Sequence, residues 1–150
     1  MGKEGMGMPE IEEIRIKVTR GIPGQVVDEA VLREGFGIVG DIFGGKKGRE
    51  ITLFEADARA ESLETRGDGM CVTRFSENFL VKGLELMSLT AGARLSIGEA
   101  EIELTQIGKE CHEECPVFQR EGNCGLFGKA AYASVVRGGL VQKGDPIIRL

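Results

Sequence analysis

Three of the four cysteines and the only histidine of the 150-residue chain fall in one stretch, Ile107 to Gly125, IGKECHEECPVFQREGNCG. The spacing is Cys111-His112-x2-Cys115-x8-Cys124. Three thiolates and an imidazole make up a ligand set of the kind that closes a tetrahedral zinc site. Three thiolates alone suit a softer metal or an iron–sulfur cluster. Two features count against one shared ion. Cys111 and His112 are adjacent, and neighbours at the end of a strand point to opposite faces; a Cys-x-x-Cys pair is also absent. A different chemistry needs only one sulfur, held as the thiolate. Lys109 and His112 beside Cys111 favour that form, whereas Glu110, Glu113 and Glu114 oppose it. In a third reading these cysteines are small buried hydrophobes. Residue types and spacing leave all three open.

A second candidate is GDIFGGKKGRE, Gly40 to Glu50. Glycines let a backbone approach a ligand closely, and Lys46, Lys47 and Arg49 supply charge for a phosphate. The order of residues is not that of a P-loop, and a solvated basic loop is the competing reading. A third candidate is FSENFLVKGL, Phe75 to Leu84. There Ser76 and Asn78 have the composition of a cap or turn, and Glu77 would serve as a general acid or base only if buried.

These segments need a scaffold, and the composition says which kind. A hydrophobic fraction of 41% with 29% charged residues describes a globular protein with a real core. Aromatics make up only 5%, with no Trp, so Val, Ile and Leu must fill that core. The 23 glycines are about twice the usual ~7% share and point to turns between short strands. A net charge of −5 argues against nucleic acid, which needs a basic face. The start, MGKEGMGMPE, lacks the apolar region of a signal peptide. No apolar run approaches the ~20 residues that span a bilayer. The expected setting is the cytoplasm, where thiols stay reduced and a disulfide is disfavoured.

Residues 1–10 read as a flexible leader and residues 11–150 as one domain. Glu13–Arg20 alternates apolar and polar side chains as a half-buried strand does. A second strand is expected in QVVDEAVLREGFG, a third at Ile51–Phe54, and a helix after it through Ala58 and Leu63. The clearest pattern is Ala93–Ile97 and Ala100–Ile107, two alternating runs joined by Gly98-Glu99, which reads as a hairpin. The cysteine segment follows its second strand directly. GLFGKAAYASVVRGG suits a short helix or a strand, and LVQKGDPIIRL ends in a strand after a turn at Lys143–Pro146. Many short strands at close spacing indicate a mainly β protein, a closed β-barrel with short helices.

The order of these stretches resembles a known family. GIVGD, then basic residues and REITL, then FSENFLVKGLEL, AGARLSIGEAEIELTQIGKECH and VVRGGLVQKGDPI together resemble the MOSC domain, named for the C-terminal domain of molybdenum cofactor sulfurase. The likeness runs from about Ile11 to Leu150 and is greatest to the short stand-alone members. It implies a barrel of the kind shared with the pyruvate kinase barrel domain. It also implies binding of the molybdenum cofactor or sulfur transfer toward it. By resemblance Cys111 is the sulfur acceptor or molybdenum ligand, with Cys115 and Cys124 as neighbouring thiols, and Arg49 and Asn78 lie near the pterin phosphate; the charge of the basic loop adds Lys46 to the cofactor-binding residues. The implied partners are the pterin cofactor and either a pyridoxal-phosphate-dependent desulfurase or a molybdoenzyme. The alternative is a small zinc or iron–sulfur module built on Cys111, His112, Cys115 and Cys124. The chain departs from the family pattern in having Phe43-Gly44-Gly45 where many members have His-Ala-Gly, and Arg49-Glu50 where Arg-Gln is usual.

Overall fold

The computed structural model describes residues 9–18, 24–42, 44–46, 48–56, 78–108 and 130–150. Eleven strands are present among them: β1 Glu10–Ile16, β2 Gln25–Val27, β3 Glu29–Arg33, β4 Gly37–Ile38, β5 Ile51–Glu55, β6 Phe79–Lys82, β7 Arg94–Ile97, β8 Ala100–Ile107, β9 Ala130–Arg137, β10 Gly139–Gln142 and β11 Ile147–Arg149. Eight form one sheet in the order β11-β7-β8-β9-β5-β6-β1-β2, and three form a second in the order β10-β3-β4. The pairing β5–β6 is parallel, while the other ladders are antiparallel.

The expected hairpin is present, with Ile97 opposite Ala100 and Arg94 opposite Glu103. Its burial follows from its pattern. Ala100, Ile102 and Leu104 are fully buried. Glu101 and Glu103 face outward, where Arg94 meets them at 3.3 and 3.1 Å. The same inward face is supplied by Ile11 and Ile14 of β1, Ile51 and Leu53 of β5, Phe79 and Val81 of β6, and Ala131, Ala133 and Val135 of β9. Ala30, Leu32, Ile38 and Val141 of the small sheet join the same cluster, so the two sheets share one core. Each fully buried Ile, Leu or Phe contributes about 1.5–3 kcal/mol. Aliphatic side chains therefore do the work that the scarcity of aromatics required of them.

Two expectations change. The sheet is not a closed barrel: it curls until β1 approaches β11, and the two meet at a single bridge, Glu10 with Pro146. Backbone bonds from Ile11 N to the Asp145 carbonyl and from Ile147 N to the Pro9 carbonyl pin the seam. Pro146 has no N–H to give a ladder, and β11 is only three residues long, so the gap is laced at one end and not zipped. The second expected strand is two strands, parted at Asp28. β2 pairs with β1, whereas β3 pairs with β10 in the other sheet. Helical backbone among the described residues is found in the 3₁₀ turn Leu86–Ser88 and at Ala56, directly after β5. The helix expected through Ala58 and Leu63 lies in 57–77, outside the described residues. β1 begins at Glu10, within the stretch expected as a leader, and residues 1–8 are outside the described set. GLFGKAAYASVVRGG, open between helix and strand by sequence, carries the strand β9 at Ala130–Arg137.

Candidate functional site

The basic loop between β4 and β5 is pinched at its base. Gly37 has a φ of 120°, and a Cβ there would lie 2.7 Å from the Glu50 carbonyl oxygen, so the two ends of the loop approach as closely as glycine allows. Glu50 begins the far side. It is buried, and its Oε1 accepts the Val135 N–H at 3.0 Å. The β5–β9 ladder ends at Ile51 opposite Ala133, so this carboxylate takes up a strand N–H just beyond the last paired residue. On the near side, the buried Asp41 carboxylate accepts the Lys17 N–H at 2.7 Å, and Ile42 N donates to the Lys17 carbonyl at 2.8 Å. The loop is thus tied to β1 and to β9 before its basic residues are reached.

Lys46 and Arg49 are both exposed, on either side of a tight turn in which Arg49 N donates to the Lys46 carbonyl at 2.8 Å. Gly48 makes that turn with a φ of 81°, a conformation that side chains rarely adopt. Thr105 Oγ1 of β8 donates to the Gly48 carbonyl. The Arg49 side chain lies over the ring of Tyr132, with Cζ 4.5 Å from the centroid, within the range of a cation–π contact. Its Nη2 also donates to Gln106 Oε1 at 3.4 Å. Gln106 and Tyr132 are direct partners across β8 and β9, so the two arms of one ladder present an amide and a ring to one guanidinium.

That position coincides with the exit of the cysteine segment. Gln106 Nε2 donates to the Gly108 carbonyl at 3.0 Å, and Gly108 N donates to the Ala130 carbonyl at 2.7 Å. The chain therefore leaves β8 and rejoins β9 at adjacent points, two residues from Gln106 on one side and two from Tyr132 on the other. Cys111, His112, Cys115 and Cys124 lie in 109–129, outside the described residues, as do Lys47 and Cys71. Among the described residues no group of three or more His, Cys, Asp or Glu side chains is placed to hold a metal.

Asn78 stands apart from Arg49 in its chemistry. Only 2% exposed, it accepts the Thr52 N–H on Oδ1 at 2.9 Å. Its Nδ2 donates to the Arg15 carbonyl at 3.2 Å and to Asp41 Oδ1 at 3.4 Å. Both amide hydrogens and the carbonyl oxygen thus have partners within the protein, and the side chain knits β1, β5 and the base of the basic loop. Of the residues set near a phosphate by sequence, Lys46 and Arg49 share the loop turn, and Asn78 braces the scaffold beneath it. Sequence reasoning did not single out Gln106, Tyr132 or Thr105, and it named Glu50 only as a departure from the family's Arg-Gln. Gln106 lies within the quoted TQIG, and Tyr132 is the only tyrosine of an aromatic-poor chain.

The profile of the MOSC domain matches residues 40–148. The chain belongs to the MOSC domain family. The matched span runs from the basic loop through Asn78 and the cysteine segment to β11. MOSC domains are associated in general with sulfur and molybdenum binding in molybdenum cofactor metabolism. Solved structures share the MOSC chain's fold. YiiM from Escherichia coli superposes with a TM-score of 0.66 at 19% identity, covering 94% of this chain and 69% of that one. YiiM from Geobacillus stearothermophilus gives 0.68 at 15% identity, covering 95% and 75%. The YUAD protein from Bacillus subtilis gives 0.62 at 19% identity, covering 94% of each. No curated protein matches the chain. No helix among the described residues of this MOSC domain is long and apolar enough to cross a membrane.

Proposed function

We propose that this MOSC domain binds the molybdenum cofactor, or carries sulfur toward it, with Cys111 as the sulfur-bearing residue and Arg49, assisted by Lys46, as the receptor for the pterin phosphate. One observation supports the reading above the others: Arg49 is held on Tyr132 and Gln106 where the segment bearing Cys111 leaves and rejoins the sheet. Arg15 is committed to Glu13 at 2.6 Å and Arg94 to Glu101 and Glu103. Arg49 has no carboxylate partner among the described residues, so most of its N–H donors remain for an oxyanion. A guanidinium fork matches a phosphate in two parallel hydrogen bonds, and the residues present fit the anionic end of a pterin phosphate. When bound, the cofactor would supply the molybdenum chemistry. The protein would supply the anion receptor and the thiol. As a carrier, a Cys111 thiolate would attack the outer sulfur of a donor persulfide, take that sulfur and release the donor thiol. A pyridoxal-phosphate-dependent desulfurase is the donor partner this chemistry calls for, and a molybdoenzyme the acceptor, in the reducing cytoplasm.

The phosphate receptor is tested by titrating a pterin monophosphate into the reduced protein. Arg49→Ala is expected to weaken binding by about 1.5–3 kcal/mol, the range of a charge-assisted hydrogen bond. Unchanged affinity would remove this loop from the site.

A further inference from the structure

We infer that Tyr132 and Gln106 are positioning residues that hold Arg49 ready for a phosphate monoester. The inference rests on the reading of Arg49 as the phosphate receptor and adds how that receptor is made. An exposed arginine on a loop samples many rotamers, and a ligand must arrest them on binding. Here that freedom is already restricted from two directions. The Tyr132 ring supports the guanidinium, with Cζ 4.5 Å from the centroid, and Gln106 Oε1 accepts from Nη2. The ring and the amide are in register across β8 and β9, so they move as parts of one sheet and not as separate loops. Gln106 is itself held, because its Nε2 donates to the Gly108 carbonyl at 3.0 Å. The backbone behind Arg49 is fixed from the same strand through Thr105 and the Gly48 carbonyl.

The contacts are also of the right polarity. A carboxylate at either position would hold the guanidinium as firmly but neutralise it, as Glu101 and Glu103 do for Arg94. An aromatic face and an amide oxygen orient the cation and leave its charge for the ligand. Tyr132 acts in this scheme through its ring, not its hydroxyl, and Gln106 through a neutral acceptor.

A double-mutant cycle with a pterin monophosphate, titrated calorimetrically into the full chain, tests this. Tyr132→Leu should weaken binding about fivefold to tenfold, and Tyr132→Phe should restore wild-type affinity. Gln106→Glu should weaken binding by a similar factor by pairing with Arg49. In an Arg49→Ala background, neither Tyr132→Leu nor Gln106→Glu should cause a further loss, because both act through the missing guanidinium. If Arg49→Ala weakens binding while Tyr132→Leu and Gln106→Glu do not, positioning is overturned and the phosphate receptor stands. If the losses persist in full without Arg49, the two residues act independently of it and the inference fails. If Arg49→Ala itself has no effect, the receptor reading falls, and positioning falls with it. Should Tyr132→Leu not fold, Gln106→Glu completes the cycle alone.

Discussion

Asn78→Ala should lower the stability of the domain by roughly 3 kcal/mol, with little direct effect on ligand affinity in the protein that remains folded. The truncation strands the Thr52 N–H and the Arg15 carbonyl, which Asn78 meets at 2.9 and 3.2 Å, and takes one donor from Asp41. Each buried polar group left without a partner costs about 1–3 kcal/mol, and part of that is recovered by relaxation. The backbone of Asn78 already bridges the same strands, with its N–H donating to the Thr52 carbonyl and its carbonyl accepting from Arg15 N. The side chain doubles that link. For a domain of this size the melting temperature should fall by about 6–12 °C. Asn78→Asp should be no better. It keeps an acceptor for the Thr52 N–H but sets a second carboxylate where Nδ2 now lies 3.4 Å from Asp41 Oδ1, and buried like charges repel. Thermal unfolding beside ligand titration separates the two roles. An unchanged melting temperature with lost affinity would return Asn78 to the cofactor site.

Phe79→Ala should cost about 3–5 kcal/mol, the range for deleting a fully buried ring. Phe79 directly follows Asn78 and is fully buried. It faces Ile14 of β1 on one side and Leu53 of β5 on the other, so the cavity would open where the parallel pair meets the antiparallel sheet. The denaturant midpoint should fall with no change in slope, since the surface exposed on unfolding is nearly the same. A loss below about 1 kcal/mol would mean that this is not the centre of the core. The double variant with Asn78→Ala should lose less than the sum, because the two side chains brace the same crossing of β1, β5 and β6.

The parts of the fold legible in the sequence are those where one local rule decides the outcome. The β7–β8 hairpin is set by alternation and a two-residue turn. Its inward Ala100, Ile102 and Leu104 and outward Glu101 and Glu103 can be read off in order. The turn before Pro146 was equally legible, with Asp145 N bonded to the Gln142 carbonyl. What one chain segment does not reveal is the identity of its distant partner. The switch of sheets at Asp28 depends on β3 finding β10, more than a hundred residues later. The seam at Pro146 depends on where β1 happens to lie. The same holds for the site. Lys46 and Arg49 stand out by charge within a glycine-rich loop. Gln106 and Tyr132 are ordinary strand residues whose meaning comes only from being opposite each other and beneath Arg49. Asn78 was singled out for its polarity, but only its burial and its three partners show what that polarity serves.

The proposed sulfur chemistry is tested most directly by asking which thiol reacts first. Metal-free reduced protein would be treated with limiting alkylating agent, and in parallel with a persulfide donor, and each cysteine mapped by mass spectrometry over time. Cys71 belongs to a different segment from the other three cysteines and serves as the internal control. A sulfur-bearing role for Cys111 predicts that it is labelled first and loaded with sulfur, that Cys111→Ser abolishes loading, and that Cys71→Ser leaves it intact. Undiminished loading in Cys111→Ser would contradict it. So would protection of Cys111, Cys115 and Cys124 together in protein as purified, relieved only by a chelator, which would make the cysteine segment a metal centre.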